Sequence, residues 1–171
     1  MVTLRRTHKL YAALPLGGRS SPSSDTALGD WYVNRISVDR QPLLILVSAR
    51  ALLPVLVPAR DVRTLPGRLA HVIGARLQRL GVAPGVIEAE VSAMEPVVVA
   101  NTIDRSVLGV MVEFGKAVPF YMESRGWDFS TLPFVEARLA QTPCFASGPF
   151  DKVVFPEVAA PQLLTARWGA G

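Results

Sequence analysis

Residues 101–106, Asn-Thr-Ile-Asp-Arg-Ser, have the types and spacing of an anion-binding segment. We predict that they join a short apolar strand to the start of a long helix, where free N–H groups and the positive end of the helix dipole attract negative charge. Arg105 and Ser106 would add donors for a phosphate or carboxylate, beside Asn101 at the strand end. In the structural alternative, Asp104 simply caps the helix.

Arg105 is also expected to have an anionic partner of its own. An arginine in a first helical turn faces the positive end of the dipole, which costs about a few tenths of a kcal/mol. We therefore predict that a carboxylate pairs with it, from Asp30, Asp61 or Glu113, or that an anionic ligand does.

Asn34 and Arg35 form a second candidate site, within a predicted strand. Strand side chains alternate between faces, so the two residues point in opposite directions, with Asp30 on the Asn34 side. A polar group on a covered face must be hydrogen-bonded inside or line a groove. The alternative is an exposed sheet face and an arginine with a buried stem.

A set of arginines on and before a predicted helix favours a basic face for a polyanion. Its members are Arg60, Arg63, Arg68, Arg76 and Arg79. No aromatic residue is interleaved with them, which argues against base stacking on a single strand. The alternative is the solvated side of an amphipathic helix.

The histidines and the single cysteine do not form a metal or catalytic set. His8 and His71 share no helical spacing and have no nearby cysteine or pair of acids, so we predict no metal and no cofactor. Cys144 follows a proline, with no base in sight, and is expected to be a buried structural thiol.

The elements that would position these residues indicate an α+β fold. We predict an antiparallel meander plus short N-terminal and central strands, packed against about four or five helices. Pro54 removes one ladder donor and places its strand at a sheet edge. The predicted strands cover residues 2–5, 30–38, 43–47, 52–57 and 96–100, and the predicted helices 8–14, 66–80, 86–94, 105–124 and 131–141.

The length of 171 residues and the hydrophobic content of 50% favour one packed domain. We place it at residues 1–145, followed by an irregular tail at 146–171 that prolines interrupt. No apolar run is long enough to span a membrane, and no apolar segment of a signal peptide follows Arg5 and Arg6. We therefore expect a cytoplasmic protein without a membrane partner.

Five motifs together resemble a family of bacterial domains of unknown function. They are THKL at 7–10, LGDWY at 28–32, LPV at 53–55 running into VPARD at 57–61, RSVLG at 105–109 and QTPC at 141–144. The resemblance covers roughly residues 1–144, and members sometimes occur near plasmid-derived or mobile-element genes. It implies no activity, cofactor or site residue.

This chain departs from the family pattern at two places. Asp104 stands where the pattern starts the long helix with Asn, and Val112-Glu113 stands where it has an Asn-Asp pair. If those amides form a site in the family, that site is altered here.

The leading hypothesis is a non-enzymatic binding or regulatory module for nucleic acid or an acidic protein, which a formal net charge of +4 permits. One alternative is a small enzyme for a phosphorylated or nucleotide substrate; another is one component of a toxin–antitoxin pair. The candidate residues of the enzyme are Asp30, Asn34, Arg35, Asp104, Arg105 and Ser106. The sequence does not indicate an oligomeric state.

Overall fold

The computed structural model describes residues 1–17, 23–60, 62–122, 126–145 and 153–169. Within this part, the strands are β1 Val2–Arg6, β2 Trp31–Val38, β3 Gln41–Ser48, β4 Pro54–Pro58, β5 Val97–Asn101, β6 Cys144–Phe145 and β7 Val153–Val154. The α-helices are α1 Leu65–Arg79, α2 Pro84–Ser92, α3 Arg105–Tyr121, α4 Leu132–Ala140 and α5 Pro156–Trp168. Among the described residues, no helix has the length and apolar character needed to cross a membrane.

The main sheet has five strands in the order β4-β3-β2-β1-β5. Strands β2, β3 and β4 form the predicted antiparallel meander, and β1 lies between β2 and β5, parallel to both. The predicted α+β class is therefore confirmed. Strand β4 lies at the sheet edge, as the missing N–H of Pro54 indicated.

A hydrophobic core lies on each face of the sheet. Helices α1 and α5 contribute to the first core, and α3 and α4 to the second. Strand β3 alternates between them, with Leu44 and Leu46 in the first and Ile45 and Val47 in the second. This double burial explains why the run is apolar at every position.

Helix α1 buries Leu69, Ile73 and Leu77 in the first core. The predicted apolar stripe also included Val72 and Leu80, which are only partly buried at its margin. The stripe follows the period of 3.6 residues, so it marks the face that the helix turns to the sheet.

We expect Ile73→Ala to lower the free energy of unfolding by about 2–5 kcal/mol, because the side chain is fully buried and its removal leaves a cavity. Urea unfolding measures this loss, and Val72→Ala on the same turn is the control, with a smaller loss. A loss below about 0.5 kcal/mol at Ile73 would contradict the packing of α1 on the sheet.

The prediction of an irregular C-terminal tail was wrong for residues 156–168, which form α5. Pro156 occupies the first helical position, where its missing N–H is no loss. Pro161 lies inside the helix and weakens it locally. The burial of Ala160 and Leu164 in the first core offsets that loss.

Two further boundaries differ from the predicted ones. The predicted helix over residues 8–14 is a single 3-10 turn, His8–Leu10, and Thr7 does not cap it. The Thr7 hydroxyl instead donates to Asn34 Oδ1 at 2.6 Å. Helix α3 ends at Tyr121, soon after Pro119.

Candidate functional site

A hydrogen-bonded polar network joins β1 to the segment before β2. Arg5 Nε donates to Asp30 Oδ2 at 2.6 Å, and Arg5 Nη1 donates to the carbonyl of Asn101 at 2.8 Å. The other oxygen of Asp30 accepts from the Ser24 hydroxyl at 2.5 Å, and that hydroxyl accepts from Thr3 N–H. Because both oxygens of Asp30 have donors, the network stabilises the fold and leaves no free base.

The N-terminus of α3 is capped by its own Asp104. One carboxylate oxygen accepts from the backbone N–H of Ser106 at 2.8 Å and of Val107 at 3.5 Å, and the Ser106 hydroxyl donates to it as well. Partial burial raises the pKa of Asp104, but these hydrogen bonds outweigh it and hold the pKa below its ordinary value. An external anion would therefore meet a carboxylate already at the helix end.

The predicted carboxylate partner of Arg105 was wrong for two of its three candidates. Asp30 is bonded to Arg5, and Glu113 lies 3.5 Å from Lys116. Asp61 lies outside the described residues. The Arg105 side chain is exposed, so water screens the helix dipole and removes the need for a partner.

Asn34 and Arg35 point to opposite faces of β2, as strand alternation requires. Asn34 Oδ1 accepts from the Thr7 hydroxyl and from the backbone N–H of Arg35. Asp30 and Asn101 meet at Arg5, and Tyr32 accepts the backbone N–H of Asp104 at 3.0 Å. The residues of the enzyme hypothesis thus divide between two places, because Arg35 faces away from the others.

The predicted basic face on α1 needs a correction at its C-terminal end. Arg76 is buried, and its Nε lies 2.9 Å from Glu136 Oε2 in an ion pair and donates to the carbonyl of Pro54 at 3.0 Å. Arg79 donates to the same carboxyl group at 3.0 Å. These two arginines bind α4 and β4, so they are not a surface for a polyanion.

The other members of that face are exposed but dispersed. The Arg60 guanidinium lies over the Phe129 ring at 5.2 Å, and Arg68 Nε donates to the Thr64 hydroxyl at 2.9 Å. Arg63 lies in the 3-10 turn before α1. They do not form a continuous stripe with Arg76 and Arg79.

A concave basic site does occur, at the far end of β2. We call it the basic hollow, a space of about 290 Å³ lined by Lys9, Arg35, Ile36, Ser37, Arg40 and Pro42. Its three cations are exposed, and none has an ion pair or side-chain hydrogen bond with another described residue. The adjacent acid, Asp39, accepts from Trp127 Nε1 at 2.8 Å.

The β2–β3 turn carries one of these cations in an unfavourable backbone conformation. Asp39 and Arg40 have φ of 51° and 66°, as in the type I′ turns that usually contain Asn-Gly or Asp-Gly. An L-residue in this region costs about 1 kcal/mol relative to glycine. An arginine therefore stands where glycine would be more stable, and its side chain lines the basic hollow.

The neighbouring strand β1 carries a buried cation, Arg6, on the same face of the sheet as Arg35. Arg6 pairs in register with Val33, two residues before Arg35. It donates to the carbonyls of Tyr11 and Leu14, and no described carboxylate pairs with it.

The sequence predicted a site role for Arg35 but not for Lys9 or Arg40. The predicted strands 30–38 and 43–47 leave residues 39–42 as a four-residue turn, whereas β3 begins at Gln41 and leaves a turn of two residues. For Arg40, the signal in the sequence was its position beside Asp39 in the predicted turn. No local sequence pattern indicated Lys9, because its position beside β2 depends on how the chain turns after β1.

The thiol of Cys144 is buried, and burial raises its pKa to about 11. Because the thiolate is the nucleophile, we expect iodoacetamide at pH 8 to react about 100-fold more slowly with the folded protein than with guanidinium-unfolded protein. The folded rate should rise about tenfold per pH unit up to the pKa. Equal rates in the two states would contradict the burial of the thiol.

These features define an α+β domain with a mixed five-stranded sheet. Among the described residues, no group of three or more His, Cys, Asp or Glu side chains is placed to hold a metal ion. The chain belongs to the family described as domain of unknown function DUF6933, whose family model matches residues 3–159. No curated protein and no solved structure matches the chain. The resemblance to an uncharacterised domain family is thus confirmed.

Proposed function

We propose that this domain is a binding module for an acidic partner protein, which it engages through the basic hollow. The supporting observation is the convergence of Lys9, Arg35 and Arg40 on one concave site, where none of them forms an ion pair with a described carboxylate. Like charges held together repel, and an anionic group placed between them removes that repulsion. The lining residues supply no carboxylate, imidazole or thiol, which favours binding over catalysis.

An acidic protein segment is a better match for the basic hollow than a long nucleic acid. The cations cluster at one site instead of following a stripe, and a nucleic-acid interface spreads its cations along the phosphate backbone. Arg76 and Arg79, which would have extended such a track, are bonded to Glu136.

The test measures fluorescence anisotropy of a labelled poly-glutamate peptide and of 20-nucleotide single-stranded and duplex DNA, at 50 and 200 mM salt. We expect the peptide to bind and the affinity to fall about tenfold at the higher salt, because screening weakens exposed charge pairs. The double variant Arg35→Ser/Arg40→Ser should lose at least about tenfold in affinity. Its control, Arg105→Ser/Lys116→Ser, removes the same net charge elsewhere and should lose less than about threefold.

Three outcomes would contradict the proposal. Equal losses in the two double variants would mean that net charge, and not the basic hollow, attracts the peptide. Binding of DNA alone, lost in Arg35→Ser/Arg40→Ser, would make the partner a nucleic acid. Absence of binding by all probes at 50 mM salt would remove the anionic partner altogether.

The turn residue provides a separate prediction in which stability and binding change in opposite directions. Arg40→Gly should raise the free energy of unfolding by about 1 kcal/mol, because glycine adopts the left-handed conformation without strain. The same change should weaken peptide binding about fivefold. Urea unfolding and anisotropy measure the two effects.

Arg40→Ala is the matched control, since it removes the same charge but keeps the strained conformation. It should weaken binding equally without raising stability. A lower stability of Arg40→Gly would show that the arginine side chain stabilises the turn and is not retained for a partner.

A further inference from the structure

Strand β1 is shorter than its neighbour β2, which leaves part of β2 without a strand on that side. The β1–β2 register ends at Arg6 and Val33, and Thr7 N–H then donates to the Val33 carbonyl at 3.1 Å. Strand β2 continues to Val38, where it pairs only with β3 among the described residues. We call residues 34–38 on this side the open edge; its length is about 16 Å.

Three backbone groups of the open edge are available for pairing, the Arg35 carbonyl and the N–H and carbonyl of Ser37. Backbone groups of alternate residues point to the same side of a strand. The Val33 carbonyl and the Arg35 N–H point to the β1 side, since they bond Thr7 and the Asn34 side chain. Ser37 follows two residues later, so its N–H and carbonyl point there as well.

The pairing between β2 and β3 agrees with this direction. Ser37 lies opposite Pro42, which has no N–H to donate. Among the described residues, the Ser37 backbone groups and the Arg35 carbonyl have no partner on the open side. A row of unpaired N–H and carbonyl groups is a template for another strand.

The open edge borders the basic hollow, because Arg35 and Ser37 belong to both. Any chain that pairs there lies beside Lys9, Arg35 and Arg40. A second copy of this domain would bring like cations together, which is unfavourable. An acidic chain would instead complement them.

We infer that the open edge of β2 accepts an extended acidic segment of the partner protein as an added strand. The inference rests on the proposed function and gives the partner segment its conformation. The segment continues the position of β1 and pairs its backbone with Arg35 and Ser37. Its acidic side chains alternate, because every second residue faces the side of Arg35. The residues between them are apolar and face the half-buried Ile36.

The carbonyl groups distinguish this partner from a nucleic acid. The Arg35 and Ser37 carbonyls need donors, and a phosphate backbone has only acceptor oxygens there. A peptide strand presents both N–H and carbonyl groups, so it satisfies both kinds of backbone group at the open edge.

The test uses a labelled peptide with alternating Glu and Val over eight residues and its scrambled form. Ser37→Pro removes the edge N–H and keeps every cation, while Ser37→Ala keeps the N–H. We expect Ser37→Pro to weaken binding of the alternating peptide at least about tenfold and to leave poly-glutamate binding unchanged. Ser37→Ala should change neither by more than about threefold, and the scrambled peptide should bind more weakly than the alternating one.

Amide hydrogen exchange in the wild-type protein gives a measurement that does not depend on the folding of Ser37→Pro. The alternating peptide should slow exchange at Ser37 at least about tenfold. Unchanged exchange at Ser37, or equal binding of the two peptides, would overturn strand addition. The proposed function is judged separately, by the loss of poly-glutamate binding in Arg35→Ser/Arg40→Ser.

Discussion

Replacement of Glu136 by alanine is expected to lower the free energy of unfolding by about 3–5 kcal/mol, because it leaves Arg76 buried without its carboxylate. Glu136 and Arg76 are 1% and 3% exposed. Glu136 also accepts from Arg79 at 3.2 and 3.0 Å, and the nearby Leu56 backbone acts against the rise that burial causes in the pKa of its carboxyl group. One carboxyl group therefore joins α4, α1 and β4.

Burial acts on the two ends of this ion pair in opposite directions. It raises the pKa of Glu136 and lowers the pKa of Arg76, while the attraction between the charges opposes both shifts. Arg76 Nη2 has no described hydrogen-bond partner, so Glu136 is the main compensation for that guanidinium. Without it, desolvation of the cation is no longer offset.

The ion pairs of Glu136 with Arg76 and Arg79 also help to cover the edge of the sheet, which would otherwise be open to pairing with another chain. Strand β4 is the edge strand, and Arg76 donates to its Pro54 carbonyl. Two prolines, Pro54 and Pro58, remove further donors from this strand. Covered and proline-interrupted edges resist pairing with other chains. We therefore expect Glu136→Ala to aggregate more readily on heating.

Urea unfolding of three variants separates charge from packing. Glu136→Gln keeps the shape and should still lose stability, because the amide cannot compensate the guanidinium. The double variant Glu136→Leu/Arg76→Met removes both buried charges and should recover at least about half of the loss. If the double variant is no more stable than Glu136→Ala, then packing and not the stranded charge causes the effect.

Replacement of Glu90 is the second change that we expect to lower the free energy of unfolding by a large amount. Its carboxyl group is fully buried and accepts from the backbone N–H groups of Ala27 and Leu28 at 2.8 and 3.1 Å. It also accepts from Trp168 Nε1 at 2.6 Å. Glu90 therefore joins α2, the segment before β2, and the end of α5.

We expect Glu90→Ala to lower the free energy of unfolding by about 3–5 kcal/mol, since each buried donor left unsatisfied costs about 1–3 kcal/mol. The loss should be largest at α5, where Trp168 loses its acceptor. Urea unfolding measures the total. Hydrogen exchange of α5 amides shows whether the helix opens before the sheet.

Trp168→Phe is the matched control for Glu90→Ala. It removes one donor and leaves the two backbone donors bonded, so its loss should be about 1–2 kcal/mol. A Glu90→Ala loss no greater than that of Trp168→Phe would show that the Ala27 and Leu28 N–H groups find other partners.

The sequence by itself determined the features that depend on neighbouring residues. The meander follows from alternating and continuous apolar runs between turns, and Pro54 marks its edge because it lacks a donor. The cap at Asp104 and the buried face of α1 follow from one carboxylate and one helical period.

The tertiary structure alone decided which distant polar groups meet. The sequence predicted Arg76 on an exposed basic face. In the folded chain, α4 places Glu136, 60 residues further along the chain, beside it. The sequence does not indicate Arg5 as the partner of Asp30. Arg5 pairs with it because β1 lies between β2 and β5 in the sheet. Such pairings depend on strand order, and local periodicity does not carry that information.

The basic hollow and α5 both depend on contacts between residues that are far apart in the chain. Lys9 and Arg35 become neighbours because β1 ends early and the chain turns over β2. The proline-interrupted sequence of α5 is a poor helix on its own, and the core that buries Leu164 makes it one. In both cases the deciding free energy comes from contacts between residues far apart in the chain, which no local pattern contains.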